Sequence, residues 1–154
     1  MGPLILLVDD DIDDIILLKE ALISIDNNCR VAEALDGRKA LILLKEARDN
    51  NLLPSLVVLD ISMPALDGRE LLAILKSEEK LKDLPVVILT TSSNISDINY
   101  CKQFNVDLIT KPFELSLLYK IAEKLLSYCK PWLSSNDFYA FINSFFFTEI
   151  KRLS

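Results

Sequence analysis

The chain has 154 residues, enough for one domain with a short appendage. A hydrophobic share of 51% excludes disorder, and a net charge of −6, from 17 basic and 23 acidic residues, excludes a nucleic-acid partner held by a basic footprint. Histidine is absent, which excludes histidine-based triads, zinc sites with imidazole ligands and a phosphohistidine carried by the chain itself.

Cys29, Cys101 and Cys129 are scattered without CxxC spacing and read as structural thiols of a reducing, cytoplasmic compartment. No apolar run is long enough to span a bilayer and no signal peptide is visible, so no membrane partner is expected.

Leu4 to Val8 is the first continuous apolar run, and it ends in acid: Asp9, Asp10, Asp11, then Asp13 and Asp14. It reads as a buried strand followed by a helix over 12–25, with Ile15, Leu18, Leu22 and Ile25 at helical spacing. Asp13 and Asp14 are expected as helix-start residues at the positive end of the helix dipole. Asp9 and Asp10 sit at the strand end, where adjacent carboxylates repel unless a cation lies between them.

Asp26-Asn27-Asn28 is a turn, and Cys29 to Leu35 a shorter strand that Asp36-Gly37 ends. The next helix carries Ala40, Leu41, Leu44 and Ala47 along one side and closes at Asp49-Asn50-Asn51. Leu56-Val57-Val58-Leu59 then reads as a central strand, apolar on both faces, that stops abruptly at Asp60. Pro64 and Asp67-Gly68 mark the loop beyond it.

A third helix carries Leu71, Leu72, Ile74 and Leu75. Val86 to Leu89 is a fourth apolar run, ending in Thr90, and a weaker helix spans about 96–104. Val106 to Thr110 is a fifth strand, ending in Lys111-Pro112. A strong helix from Glu114 to about Tyr128 places Leu118, Ile121, Ala122 and Leu125 on its buried face. Five βα units with crossover-length connections predict an α/β, flavodoxin-like, doubly wound parallel sheet of strand order 2-1-3-4-5.

In such a sheet ligands bind outside the carboxyl ends of the strands. Those ends hold Asp9 and Asp10, Asp60, Thr90 and Lys111, all on one edge. Three carboxylates make a hard oxygen site suited to Mg²⁺, which keeps waters and is completed by phosphate. A hydroxyl and an ammonium beside them suit a phosphoryl group, and carboxylates are known nucleophiles toward phosphorus. Each residue alone has a plainer role: Asp60 as a helix cap, Thr90 as a strand-end hydroxyl, Lys111 as a surface lysine.

Val8-Asp9-Asp10, Asp60-Ile61-Ser62-Met63-Pro64 with Asp67-Gly68, Leu89-Thr90 and Lys111-Pro112-Phe113 stand in the order and near the spacing of one family. The sequence resembles a response-regulator receiver domain of two-component signalling over about 4–129, of the stand-alone type with a short C-terminal extension. The resemblance implies Asp60 as phosphoacceptor. It implies Mg²⁺ held by Asp9, Asp10, Asp60 and the backbone carbonyl of Ser62, with Asp10 the direct ligand and Asp9 able to act through water. It further implies Lys111 bridging to phosphoryl oxygens, Thr90 moving its hydroxyl onto the phosphoryl group, and a cis Lys111-Pro112 peptide. A sensor histidine kinase or phosphotransfer protein would donate the phosphoryl group, and a separate downstream effector protein would read the result.

Two departures from the family stand out. Either Leu108 occupies the place where the family often has a switching aromatic ring or one residue has been lost there, and Thr91 follows Thr90 where a smaller residue is usual. Ser62 and Ser92 lie at positions that tend to tune dephosphorylation.

Beyond Cys129 the composition changes. Pro131 ends the last helix, Ser134-Ser135-Asn136-Asp137 reads as an N-cap, and Phe138, Phe141, Ile142 and Phe145 recur at helical spacing. Residues 130–154 are therefore expected as an aromatic-rich helical extension, either folded back on the domain or forming a homodimer contact. Two competing readings remain at this level: a haloacid-dehalogenase-type Mg²⁺ phosphatase with Asp9 as nucleophile, and a receiver fold that binds without being phosphorylated. The receiver reading makes the protein a signalling phosphoacceptor and not an enzyme on external substrates.

Overall fold

Each of the five expected strands forms, and a helix follows each of them. The computed structural model describes residues 2–129. The elements are β1 (Leu4–Val8), α1 (Ile12–Ile25), β2 (Arg30–Ala34), α2 (Gly37–Asp49), β3 (Leu56–Leu59), α3 (Gly68–Ser77), β4 (Val86–Thr90), α4 (Ile95–Gln103), β5 (Asp107–Thr110) and α5 (Leu115–Tyr128). All strand pairs are parallel, in the order β2-β1-β3-β4-β5 expected from the sequence.

Side chains alternate across each strand, so the sheet splits its apolar residues between two cores. Leu6, Val8, Val57, Leu59 and Ile88 face one layer, where Leu44 of α2, Leu71 and Leu75 of α3 and Cys101 of α4 meet them. Ile5, Leu7, Val58, Val87 and Leu89 face the other, against Ile15 and Leu22 of α1 and Leu118 and Leu125 of α5. Burial of each such side chain contributes roughly 1.5–3 kcal/mol relative to exposure. Leu108 is half-buried against the first core.

Local signals set where the helices start. Asp11 caps α1 by accepting from the Asp13 and Asp14 N–H groups, and Asp36 caps α2 through the Lys39 N–H. Asp67 and Glu70 form a reciprocal capping box at α3, and Asn94 caps α4. Each cap satisfies a backbone donor that the helix geometry leaves open, worth about 1 kcal/mol.

Several details differ from expectation. Ile25 is 39% exposed, and α1 buries Ala21 in its place because the stripe drifts around the helix. Ile74 and Ile121 are only half-buried. The strand β2 is two residues shorter than read, and α4 begins at Ile95 because Asn94 rather than a later residue supplies the cap. The Lys111-Pro112 peptide is trans, since no cis bond occurs among the described residues. The two isomers before proline differ by only about 0.5–1 kcal/mol, so proline itself does not dictate the choice. The expected aromatic helix at 130–154 lies outside the described residues.

Candidate functional site

The parallel sheet delivers every strand-end residue to one edge. Asp9 follows β1 and is held by its N–H donating to the Ala34 carbonyl at 3.1 Å. Asp60 follows β3, its N–H donating to the Val8 carbonyl at 2.9 Å. Lys111 follows β5, its N–H donating to the Thr90 carbonyl at 2.9 Å. The sheet ladder itself therefore fixes the three backbones side by side.

The carboxylates converge. Asp9, Asp10 and Asp60 each offer an oxygen, and these oxygens all lie within 4.8 Å of one another. Asp9 and Asp60 are buried and Asp10 is exposed. Asp9 Oδ1 accepts from the Asp11 N–H at 3.0 Å, and its Oδ2 accepts from Lys111 Nζ at 2.6 Å. Lys111 Nζ also donates to Asp14 Oδ2 at 2.8 Å and stands 3.6 Å from Asp60 Oδ2. Among the described residues, Asp60 Oδ1 is buried with no hydrogen-bond partner.

A buried oxygen without a partner costs desolvation that nothing here repays, and buried anions are normally paired or bound to metal. The donor set is all oxygen, two of the acids are buried and the third is open to solvent. That chemistry fits a hard divalent cation that retains water.

Burial raises the Asp9 carboxyl above its usual range, and the Asp60 charge adds to this, against the pull of Lys111 and the Asp11 N–H. For Lys111 burial acts to lower the value, but hydrogen bonds to Asp14 and Asp9 and the charge of Asp60 outweigh it. The ammonium is held protonated well above its ordinary range.

The other predicted residues are placed differently. Thr90 is fully buried at the end of β4, where its Oγ1 accepts the Ser92 N–H at 3.3 Å. Ser62 is exposed in the loop after β3. Neither is hydrogen-bonded to the acidic cluster through its side chain.

Two residues of the site escaped the sequence reading. Asp14 was expected only to start α1, yet it turns inward to Lys111; its sole local signal is membership of a five-acid run. Gly68 was read as a loop marker. A Cβ there would lie 2.2 Å from the Asp60 carbonyl oxygen, so only glycine lets the start of α3 lie against the Asp60 backbone. A cavity of about 290 Å³ opens from Asp9, Asp60 and Lys111 down between α1 and α5, walled by Ile15, Leu18 and Leu118.

The sequence pattern of the response regulator receiver domain matches residues 5–123. The chain belongs to that family. Among its relatives, the probable methanogenesis regulatory protein FilR2 of Methanothrix harundinacea is 33% identical over 132 residues, covering 84% of each chain. The response regulator Rcp1 of Synechocystis sp. is 34% identical over 134 residues, 85% of this chain and 89% of the relative.

Solved structures agree. The phosphorylated cyanobacterial phytochrome response regulator RcpA superposes with a TM-score of 0.76 at 37% identity, over 88% of this chain and 96% of its own. The Mn²⁺-bound form of Rcp1 gives 0.75 at 32% identity, over 86% and 98%. The chain is thus a receiver domain with an acidic pocket formed by Asp9, Asp10 and Asp60, of a family that works in phosphorylation-based signalling and is typically not enzymatic. Among the described residues no helix is long and apolar enough to cross a membrane.

Proposed function

We propose that Asp60 accepts a phosphoryl group from a phosphohistidine on a sensor histidine kinase or phosphotransfer protein, and that the modified domain signals through a separate effector protein. The observation that carries this is Asp60 Oδ1, the buried oxygen left without a partner among the described residues. The competing nucleophile Asp9 has both oxygens engaged, by the Asp11 N–H and by Lys111. A haloacid-dehalogenase-type mechanism through Asp9 is disfavoured on that ground and by membership of a different family.

In the transfer, an Asp60 oxygen lone pair attacks phosphorus, the P–N bond breaks, and its electron pair returns to the donor imidazole. Asp9, Asp10, Asp60 and the Ser62 carbonyl would hold Mg²⁺, which when bound neutralises charge on the phosphoryl oxygens. The Lys111 ammonium shifts from Asp9 and Asp14 toward the phosphoryl oxygens. Thr90 turns its hydroxyl toward the same group and reports the modified state. Hydrolysis of the acyl phosphate resets the domain.

Residues 4–129 act as the receiver and 130–154 as an extension that pairs two copies, in the cytoplasm. Loss of 130–154 is expected to lower the mass in light scattering. The Mn²⁺ form of Rcp1 and the phosphorylated form of RcpA support the metal and the modification by analogy. Intact mass after incubation with acetyl phosphate tests the central reading. Gain of one phosphoryl group that needs Mg²⁺ and disappears in Asp60→Asn is expected. Labelling that persists at Asp9 overturns it.

A further inference from the structure

Among the described residues, the buried polar side chains are Asp9, Asp60, Thr90 and Asp97. The first three end strands at the acidic site. Asp97 lies in the first turn of α4, and the site does not use it.

Its partners come from two other elements. Asp97 Oδ1 accepts from Arg69 Nε at 2.7 Å and from Arg69 Nη2 as well. Asp97 Oδ2 accepts from Ser92 Oγ at 2.5 Å. Arg69 Nη2 also donates to Ser96 Oγ at 2.7 Å, and the guanidinium lies 5.2 Å from the centroid of the Tyr100 ring. The Tyr100 hydroxyl donates to the Arg69 carbonyl at 2.9 Å. Two donors of the planar guanidinium converge on one carboxylate oxygen and leave the other to Ser92, so the charge-assisted bonds hold the carboxylate from both sides.

Both ends of the cluster are tied to the acidic site. Arg69 directly follows Gly68, which lies against the Asp60 backbone. Ser92 stands two residues beyond Thr90 and gives its N–H to Thr90 Oγ1. Apolar burial in the segment between is small: the buried residues of α4 are Asp97 and Cys101 only, with Tyr100 partly buried against the core. An element with so little apolar burial belongs to the low-stability end of a fold, where switching elements are found. Leu108, in the place of a switching ring, offers no aromatic alternative.

We infer that Arg69, Asp97 and Ser92 form a latch that ties α4 and the β4–α4 loop to α3 while Asp60 is unmodified, and that movement of Thr90 onto a phosphoryl group releases it. The inference rests on the reading of Asp60 as phosphoacceptor. Rotation of Thr90 Oγ1 toward Asp60 takes it from the Ser92 N–H. That donor must find a new partner, and Ser92 then carries its hydroxyl away from Asp97. With one of its partners gone, the buried carboxylate no longer holds the loop. Arg69 and Asp97 are positioning residues here, since neither touches the phosphoryl group.

Amide hydrogen exchange on the full chain, read by mass over residues 91–104, tests the latch. Arg69→Gln is expected to speed exchange there about tenfold in the unmodified protein while leaving β1 and β3 unchanged. Wild type treated with acetyl phosphate and Mg²⁺ should reach a similar rate, and Arg69→Gln should gain little more on the same treatment. Asp97→Asn, which keeps the side-chain shape, should behave as Arg69→Gln does, and the swap Arg69→Asp with Asp97→Arg should restore slow exchange. Unchanged exchange in both single variants overturns the latch, as does unchanged exchange in wild type whose mass shows the added phosphoryl group. Absence of that mass gain instead fails the Asp60 reading, and the unmodified variants still decide whether the latch holds the loop.

Discussion

Lys111 Nζ lies 2.6 Å from Asp9 Oδ2 but 3.6 Å from Asp60 Oδ2. The ammonium of the site therefore leans on an acid that would hold metal and stands back from the acid that would be modified. It occupies the place of a counter-ion, and a divalent cation would compete with it for Asp9.

This arrangement has a measurable consequence. Lys111→Ala leaves two buried carboxylates without their cation, which by the cost of breaking a buried pair lowers stability by about 3 kcal/mol without metal. Saturating Mg²⁺ should recover part of that loss, and Mg²⁺ affinity should not weaken, because its competitor is gone. Urea unfolding with and without Mg²⁺, together with calorimetric titration, checks both. A weaker Mg²⁺ affinity in the variant would show that Lys111 supports the metal rather than competing with it.

Asp60 sits within reach of Asp9 and Asp10 with one oxygen unpartnered. Asp60→Asn removes a charge from this crowded edge, so it is expected to raise stability by about 1 kcal/mol at neutral pH without Mg²⁺. The same variant loses the phosphoryl gain from acetyl phosphate. Thermal unfolding and intact mass on one preparation read the two effects together.

The strands were legible because strands of a parallel sheet covered on both faces must be apolar on both faces, as in Leu56–Leu59 and Val86–Leu89. The edge strand β2 was harder to bound, since Arg30 and Glu33 face solvent and blur its ends. Chemistry at strand ends was legible for the same topological reason, as the fold sends every such residue to one edge. Asp14 was not, because what turns it inward is a lysine 97 positions away. The Arg69–Asp97 pair was hidden likewise: it joins residues 28 apart, and in the sequence Asp97 stands only as one residue of a weaker helix over about 96–104. Pairing of this kind is a property of packing, and no local period encodes it.

Gly68 offers a direct test of how the site is built. A Cβ at this position meets the Asp60 carbonyl oxygen and the Ile61 Cα, both backbone atoms that cannot swing aside. Gly68→Ala should therefore cost about 1–3 kcal/mol, as overpacking does. The displaced Asp60 backbone should also slow labelling by acetyl phosphate even where the variant is fully folded. Equal labelling rates at unchanged stability would mean that α3 can shift without disturbing Asp60.

Asp97 should leave its mark on acid stability. Burial acts to raise its carboxyl, but the hydrogen bonds from Ser92 and Arg69 and the arginine charge hold it below the usual range. A carboxyl whose folded value lies below its unfolded value contributes stability above the unfolded value, near 3.8. That contribution is lost as pH falls through the lower folded value. Asp9 has the opposite sign: its folded value is raised, so protonation in the window above 3.8 favours the folded state. Below about pH 4 the latch should therefore be a source of acid lability. Asp97→Asn should be less stable than wild type at neutral pH and should converge with it as pH falls below that value. Denaturant unfolding across the acid range checks this, and two parallel curves would show that Asp97 carries no charge-dependent stability.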